Sequence, residues 1–157
     1  KRFTWLSHFW LGISDGIAPV GGWIAVSNTI TIDAVVLCLA VSSWIAGFDL
    51  IYQCMDRDFD IQNNLKSIPA NWSNRVSLSL AKLMHFVTVG SLLILGWTLD
   101  LSLVYFTGVA IASLLLIYEH SLVKADDLSK VTLAFFNVNG YIAVTIFAFT
   151  AAAILMN

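Results

Sequence analysis

Charged residues are scarce in this chain. They make up 11% of its 157 residues, while hydrophobic residues make up 59% and the mean hydropathy is +0.83. A soluble domain of this size has about a quarter of its residues charged. Because so few polar side chains cannot cover so much apolar surface, the composition excludes a water-soluble protein.

Basic residues and cysteines are also few. Eight Lys and Arg against ten Asp and Glu give a net charge of −2, so no nucleic-acid partner is expected. The two cysteines, Cys38 and Cys54, lie in or at the end of an apolar run without CxxC spacing. They are typical of small buried hydrophobic residues, not of a disulfide or a metal site.

The start of the sequence is abrupt. No signal peptide is visible, and the chain opens on Lys1-Arg2 without an initiator methionine. We therefore expect this start to be a cut in a longer protein.

Long apolar segments dominate the rest of the chain. Five can be recognised, at about 8–27, 31–54, 76–97, 101–121 and 131–156. Each is near the length of about 20 residues that an α-helix needs to cross a hydrocarbon core. The sequence therefore predicts an all-α fold, a polytopic membrane helical bundle with five transmembrane helices.

The basic residues all lie on one side of these predicted helices. They precede the first segment or lie in, just past or around the polar loops 55–75 and 122–130: Lys1, Arg2, Arg57, Lys66, Arg75, Lys82, Lys124 and Lys130. Positive residues remain inside the cell during membrane insertion. We therefore expect a multi-pass protein of the inner (plasma) membrane, with both polar loops in the cytoplasm.

Proline and glycine are grouped in the first segment. Pro19 has Gly16, Gly21 and Gly22 around it. This grouping predicts a kink or a close approach by a neighbouring helix, in preference to a ligand contact.

Acidic residues form a regular array where the second segment ends. At about 100° per residue, Asp49, Asp56 and Asp60 fall on one helical face, with Tyr52 flanking it and Asp58 opposite. Like charges one turn apart repel, and carboxylates near a helix C-terminus oppose the helix dipole. Three carboxylates in a column descending into the bilayer are therefore unfavourable as bare structure.

A divalent cation would relieve this strain. Mg²⁺ takes one or two protein carboxylates and completes its shell with water and phosphate oxygens. Asp56 and Asp60, at i and i+4, are the predicted metal ligands, and a solvated acidic loop is the alternative. Lys66 and Ser67 add a cation and a hydroxyl suited to diphosphate oxygens, although Lys66 alone also fits an ordinary positive-inside charge.

At these residues the sequence resembles the UbiA superfamily of intramembrane prenyltransferases. The second aspartate-rich motif of that family looks like Tyr/Phe-Asp-x2-Tyr-x3-Asp-x3-Asp, followed by Lys-Ser. The matching residues here are Phe48, Asp49, Tyr52, Asp56, Asp60, Lys66 and Ser67. The opening Lys1-Arg2-Phe3-Thr4, followed by Leu11-Gly12, is similar to the stretch before the family's fifth helix.

The resemblance implies an arrangement for the whole chain. Family members have nine helices, so five helices with the motif after the second match helices five to nine. Residues 1–157 are then the C-terminal part of a single transmembrane prenyltransferase domain. Its N-terminal helices and first aspartate motif are missing, so we expect this part alone to be inactive.

Two further stretches resemble the 4-hydroxybenzoate polyprenyltransferase branch. They are Tyr118-Glu119-His120 with Leu122-Val123, and the residues 134–140, Ala-Phe-Phe-Asn-Val-Asn-Gly. The resemblance implies Mg²⁺-dependent transfer of a polyprenyl group, from a polyprenyl diphosphate to a small aromatic acceptor such as 4-hydroxybenzoate. The pathway would be ubiquinone or menaquinone biosynthesis, with the polyprenyl tail between helices and open to membrane lipid.

Each motif residue then has an expected role. Asp56 and Asp60 hold Mg²⁺ against the diphosphate, whose oxygens Lys66 and Ser67 contact. Tyr52 stabilises the allylic cation through its ring face, unless it is only an aromatic anchor at the membrane interface. Asp49 is expected to orient Tyr52 or to share hydrogen bonds behind the metal ligands.

Other polar residues lie within the apolar segments. They could contact the acceptor or join helices by hydrogen bonds, and the second interpretation is favoured; they are His85, Glu119, His120, Asn137 and Asn139. Asp15 in the first segment is a further intramembrane acid, either functional or paired with a partner such as Ser14.

Three other functions fit the composition. Intramembrane acids also mark cation- or proton-coupled transporters, but here they cluster at one cytoplasmic edge. A non-catalytic helical subunit would leave the aspartate array unexplained. Within the UbiA superfamily, prenyl transfer in haem, chlorophyll or ether-lipid synthesis shares the same metal chemistry.

Overall fold

Helices account for all the regular structure of residues 1–156, which the computed structural model describes. They are α1 (Ser7–Ser27), α2 (Ile32–Tyr52), a 3₁₀ turn (Gln53–Asp56), α3 (Arg57–Gln62), α4 (Ile68–Asn71), α5 (Asn74–Thr98), α6 (Leu103–Leu122), a π-helical stretch (Leu133–Val138) and α7 (Asn139–Leu155). Within these residues there is no β-strand, so the all-α prediction is confirmed.

Five of the helical stretches are long and apolar enough to cross a membrane. Two of them are composite: α2 continues through the 3₁₀ turn to Gln62, and the π-helical stretch leads directly into α7. The ends of the five predicted segments agree with the structure within a few residues, except that the second helix extends past Cys54. This continuation carries the acidic array from inside the apolar bundle toward the loop that follows.

Polar capping side chains and residues with a left-handed backbone conformation set the helix ends. Thr31 and Ser73 accept hydrogen bonds from the backbone N–H groups of Ala34 and Val76, at 3.3 and 3.2 Å, and so cap the starts of α2 and α5. Asn28, at the end of α1, has a φ of 55°. Asparagine tolerates this left-handed conformation better than most side chains, which permits the tight connection to α2.

Small residues let α1 approach α2 closely. A Cβ atom added at Gly12 or Gly16 would collide with Ser42 of α2. The close approach predicted around Pro19 therefore occurs at Gly16. Added Cβ atoms at Gly21 and Gly22 have no described atom within 4 Å.

The helix α2 lies at the centre of the bundle, against α1 on one side and α5 on the other. Its last turn belongs to a buried apolar cluster that also receives residues from α4, α5 and the segment before α7: Leu50, Ile51, Cys54, Ile68, Leu78, Ala81, Val123, Val131 and Ala134. Cys54 is buried in this cluster, as predicted, whereas Cys38 is only half-buried; both are free thiols. Through Ile68 the cluster holds the start of α4, directly after the loop that follows α3, against the end of α2.

Hydrogen bonds join the remaining helices. Asn139 accepts from the Trp44 indole N–H (2.9 Å) and donates to Glu119 (3.0 Å), while His85 and His120 are joined at 2.9 Å. These residues therefore bridge α2, α5, α6 and α7, as the packing interpretation predicts.

Asp15 and Ser14 do not pair. The Ser14 hydroxyl donates to the Trp10 carbonyl at 2.9 Å, and Asp15 lies on an exposed part of α1.

Candidate functional site

Two carboxylates share one cation where α2 continues into α3. Asp56 ends the 3₁₀ turn with its side chain 43% exposed, whereas the Asp60 side chain on α3 is 1% exposed. The Lys1 Nζ atom lies 3.3 Å from Oδ2 of each. Asp58 lies in the same helix, but its side chain is 84% exposed and 3.5 Å from Arg57. Asp56 and Asp60 therefore converge, and Asp58 points away.

Backbone and side-chain contacts hold this pair in place. The Lys66 backbone N–H donates to the Lys1 carbonyl at 2.8 Å, which ties the loop after α3 to the segment before α1. The Gln53 side-chain amide donates to Asp56 at 3.2 Å. The two carboxylates are thus held both by a neighbour in sequence, Gln53, and by the distant Lys1.

Asp49 has a different partner. Its Oδ2 atom lies 2.7 Å from Nδ1 of His8, on α1. The other ring nitrogen, Nε2, accepts a hydrogen bond from the backbone N–H of Ile68 at 3.4 Å. A neutral imidazole that accepts at Nε2 carries its proton on Nδ1, so His8 donates to Asp49.

The column of three carboxylates predicted from helical spacing is therefore divided into two parts. Asp49 bonds to α1, while Asp56 and Asp60 share Lys1. The 3₁₀ turn changes the angular step between them, and partners from other elements decide which carboxylates meet.

Tyr52 belongs to a wall of aromatic rings. Its ring centroid lies 4.4 Å from that of Phe135, which in turn makes an edge contact with Phe48 at 5.3 Å. Trp44 continues the wall with a similar contact to Phe48 at 5.7 Å. Three of these rings lie on α2, the helix that carries Asp49 and leads to Asp56. The face of an aromatic ring attracts a cation.

Lys66 and Ser67 occupy different environments. The Ser67 hydroxyl is fully buried and accepts from the Ala70 backbone N–H at 3.4 Å, so it caps α4. Lys66 is exposed, and its side chain forms no ion pair within residues 1–156. In this arrangement Lys66 has the charge available for an anion, and Ser67 shapes the backbone beside it.

The carboxylate pair fits a hard divalent cation. Its ligand atoms are all oxygens, an ammonium already lies between the two carboxylates, and the buried Oδ2 of Asp60 has no hydrogen bond besides this ion pair. No three His, Cys, Asp or Glu side chains converge within residues 1–156. Two carboxylates are nevertheless what Mg²⁺ takes when water and phosphate complete its shell.

Sequence reasoning missed three contributors to the site. In the sequence, His8 is recognised only as the start of a predicted helix and Lys1 only as a basic residue. Phe135 is recognised only as part of the stretch that resembles the 4-hydroxybenzoate polyprenyltransferase branch. A lone ionisable residue such as His8 inside an apolar segment is a usable signal, because such residues are costly in a membrane unless they have a partner.

The comparisons with known proteins agree on one family. The family model described as "UbiA prenyltransferase family" matches residues 1–143. Similar curated proteins include the 4-hydroxybenzoate octaprenyltransferases of Aliivibrio fischeri, 30% identical over 99% of this chain and 54% of that protein, and of Vibrio cholerae, 31% identical over 94% of this chain and 51% of that protein. The chain thus spans about half the length of the curated relatives that it matches.

A solved structure has the same fold. It is the apo structure of a UbiA homolog from Aeropyrum pernix K1, with a TM-score of 0.83 and 29% sequence identity. The match covers 97% of this chain and 57% of that one.

Proposed function

The chain belongs to the UbiA prenyltransferase family, and we propose that its full-length protein transfers a polyprenyl group from polyprenyl diphosphate to a small aromatic acceptor such as 4-hydroxybenzoate. The observation that carries this proposal is the pair Asp56 and Asp60, two carboxylates that share one cation at the edge of an apolar helical bundle. The donor consists of an anionic diphosphate and a lipid-soluble polyprenyl tail, so it needs a charged site and an apolar one side by side.

Asp56 and Asp60 would hold Mg²⁺. Bound there, the metal would neutralise the negative charge of the diphosphate as it leaves. Lys66 would bind diphosphate oxygens directly, and Lys1, now between the carboxylates, brings a second ammonium to the same place. Ser67 would support this contact by capping α4, which begins directly after it.

The aromatic wall would stabilise the reacting carbon. The allylic C–O bond breaks with its electron pair leaving on the diphosphate, so positive charge develops on the prenyl group. Tyr52, four residues before Asp56 in the chain, packs against Phe135 with ring centroids 4.4 Å apart, and these ring faces would stabilise the charge. A carbon of the aromatic acceptor then forms the new bond and loses its ring proton. Asp49, held by His8, would position Tyr52 and the groups behind the carboxylate pair.

The setting follows from the same features. Five apolar helices support a multi-pass membrane protein, and the names of the similar proteins support 4-hydroxybenzoate as the acceptor class. We propose that the carboxylate pair faces the cytoplasm of the inner membrane and that the product enters quinone synthesis. Prenyl transfer in haem, chlorophyll or ether-lipid synthesis remains the alternative within the family.

Binding of a prenyl diphosphate tests the proposal against an ion-coupled transporter. The purified full-length protein is titrated with a non-hydrolysable prenyl diphosphate analogue, with Mg²⁺ and with a chelator, at one pH. Binding should require Mg²⁺ or Mn²⁺, because carboxylates and diphosphate repel each other without a cation between them. Tight binding that survives the chelator, or no binding in either condition, would contradict the proposal.

A further inference from the structure

A surface groove between α5 and α6 has no role in the proposed reaction. Two cavities of about 560 and 370 Å³ open there, and both have Lys82, His120 and Ser121 in their walls. They therefore form one continuous depression, which we call the α5–α6 groove. Neither Asp56 nor Asp60 lines it.

One end of this groove is basic. Arg75, Lys82 and Lys124 line the smaller cavity, together with the hydroxyl of Ser79. All three basic residues are exposed, and none forms an ion pair within residues 1–156. One acid, Asp126, also lines this cavity, so the wall keeps an excess of positive charge.

The other end of the groove is apolar. Phe86 and Val89 of α5 face Leu116 and Ile117 of α6 across the larger cavity. On α5, Lys82, Phe86 and Val89 are spaced as i, i+4 and i+7, so they form one stripe along the helix. The stripe changes from charged to apolar with increasing distance from the start of α5.

Lys82 lies in the third turn of its helix. It is eight residues after Asn74, the first residue of α5, which corresponds to about 12 Å along the axis. Because α5 is apolar and long enough to cross a membrane, lipid tails there would offer no partner to this cation. An anion that reaches between α5 and α6 would stabilise it.

His120 adds a polar group where the two ends meet. Its Nε2 atom lies 2.9 Å from Nδ1 of the buried His85, which fixes the ring orientation. The other nitrogen of His120 has no hydrogen-bond partner among residues 1–156, and the ring lines both cavities. It can therefore contact a ligand that occupies both ends.

We propose that the α5–α6 groove binds an anionic phospholipid. The phosphate of the head group lies among Arg75, Lys82 and Lys124, and an acyl chain follows Phe86 and Ile117. Basic pockets between membrane-spanning helices are known to suit anionic head groups. Inorganic phosphate would leave the apolar cavity unfilled, and a zwitterionic lipid would bring a further cation to three existing ones.

Lipid binding to the purified full-length protein tests this site. Native mass spectrometry compares phosphatidylglycerol with phosphatidylcholine of the same acyl chains, for the wild type and the variant Arg75→Gln/Lys82→Gln/Lys124→Gln. The wild type should retain phosphatidylglycerol preferentially. Each cation removed should weaken that binding roughly fivefold, the change that corresponds to about 1 kcal/mol. The control Lys130→Gln removes an exposed charge from the neighbouring loop and should have no effect.

Two further measurements make the result specific. Ser113→Trp fills the apolar cavity that Ser113 lines without changing any charge, and it should also reduce phosphatidylglycerol binding. Thermal unfolding in phosphatidylcholine checks that the variants fold. If the triple variant does not fold, the wild type is compared with Lys82→Gln alone.

Four outcomes would overturn the proposal. They are equal retention of both lipids, an equal loss in Lys130→Gln, displacement of the lipid by inorganic phosphate, and displacement by equimolar polyprenyl diphosphate. None of them depends on prenyl transfer.

Discussion

The Nδ1 atom of His8 lies 2.7 Å from the Oδ2 atom of Asp49, and this hydrogen bond joins the start of α1 to the last turn of α2. The His8 side chain is 1% exposed and that of Asp49 is 16% exposed, so water competes little for the contact. Because the opposite nitrogen of His8 accepts from Ile68, the ring also links Asp49 to the loop that carries Lys66. One imidazole thus couples three segments of the site.

Substitution of His8 tests this coupling. His8→Phe should destabilise the fold by about 1–3 kcal/mol, because Asp49 loses its buried donor. Prenyl transfer by the full-length protein should fall about tenfold, the equivalent of 1.4 kcal/mol. His8→Asn keeps an N–H group near the position of Nδ1, so it should retain more turnover. Steady-state kinetics and thermal unfolding in one detergent measure both effects. Equal activity of the Phe and Asn variants, both folded, would contradict a positioning role.

Asp56→Asn or Asp60→Asn should nearly abolish prenyl transfer. Each variant removes one of the two charges that share a cation. The loss should exceed the roughly 10–100-fold typical of groups behind metal ligands. Asp58→Asn is the matched control, because its exposed pair with Arg57 contributes at most about 1 kcal/mol. Turnover of a labelled polyprenyl diphosphate in excess Mg²⁺ gives the comparison. Similar losses in all three variants would refute the assignment of the pair.

Tyr52 can be tested as a cation-stabilising ring. Tyr52→Phe keeps the ring face against Phe135 and should retain most of the turnover. Tyr52→Leu removes it and should lower kcat by roughly 2–30-fold, the range of a cation–π contact of about 0.5–2 kcal/mol. Tyr118→Leu, at an exposed tyrosine of α6, controls for loss of an aromatic ring at the membrane surface. If kcat is unchanged in Tyr52→Leu, the residue is an interfacial anchor and not part of the reaction.

Cysteine labelling tests the orientation in the membrane. In a background without Cys38 and Cys54, we introduce cysteine at the exposed residues Gln62 or Asp126. A membrane-impermeant maleimide should label these positions only after the cells are permeabilised, because basic residues beside a loop favour its retention in the cytoplasm. Thr29, in the exposed turn between α1 and α2, is the control and should react from outside. Labelling of Gln62 or Asp126 in intact cells would reverse the orientation.

The sequence alone determined the five long helices and the pairing of Asp56 with Asp60. Hydropathy and length are properties of a continuous segment, and a membrane requires a segment of that composition to satisfy its own backbone hydrogen bonds. The i, i+4 spacing of the two carboxylates is likewise local, as is the outward direction of Asp58. Such features do not depend on how the helices meet.

Only the tertiary structure decided the partners of the site residues. Asp49 meets His8 across 41 residues and Asp56 meets Lys1 across 55. These contacts depend on how closely α1 lies against α2, and Gly12 sets that distance because any side chain there would collide with α2. Helical spacing fixes the direction in which a side chain leaves its own helix. It does not specify which side chain of another helix lies opposite, because that depends on the packing of both surfaces.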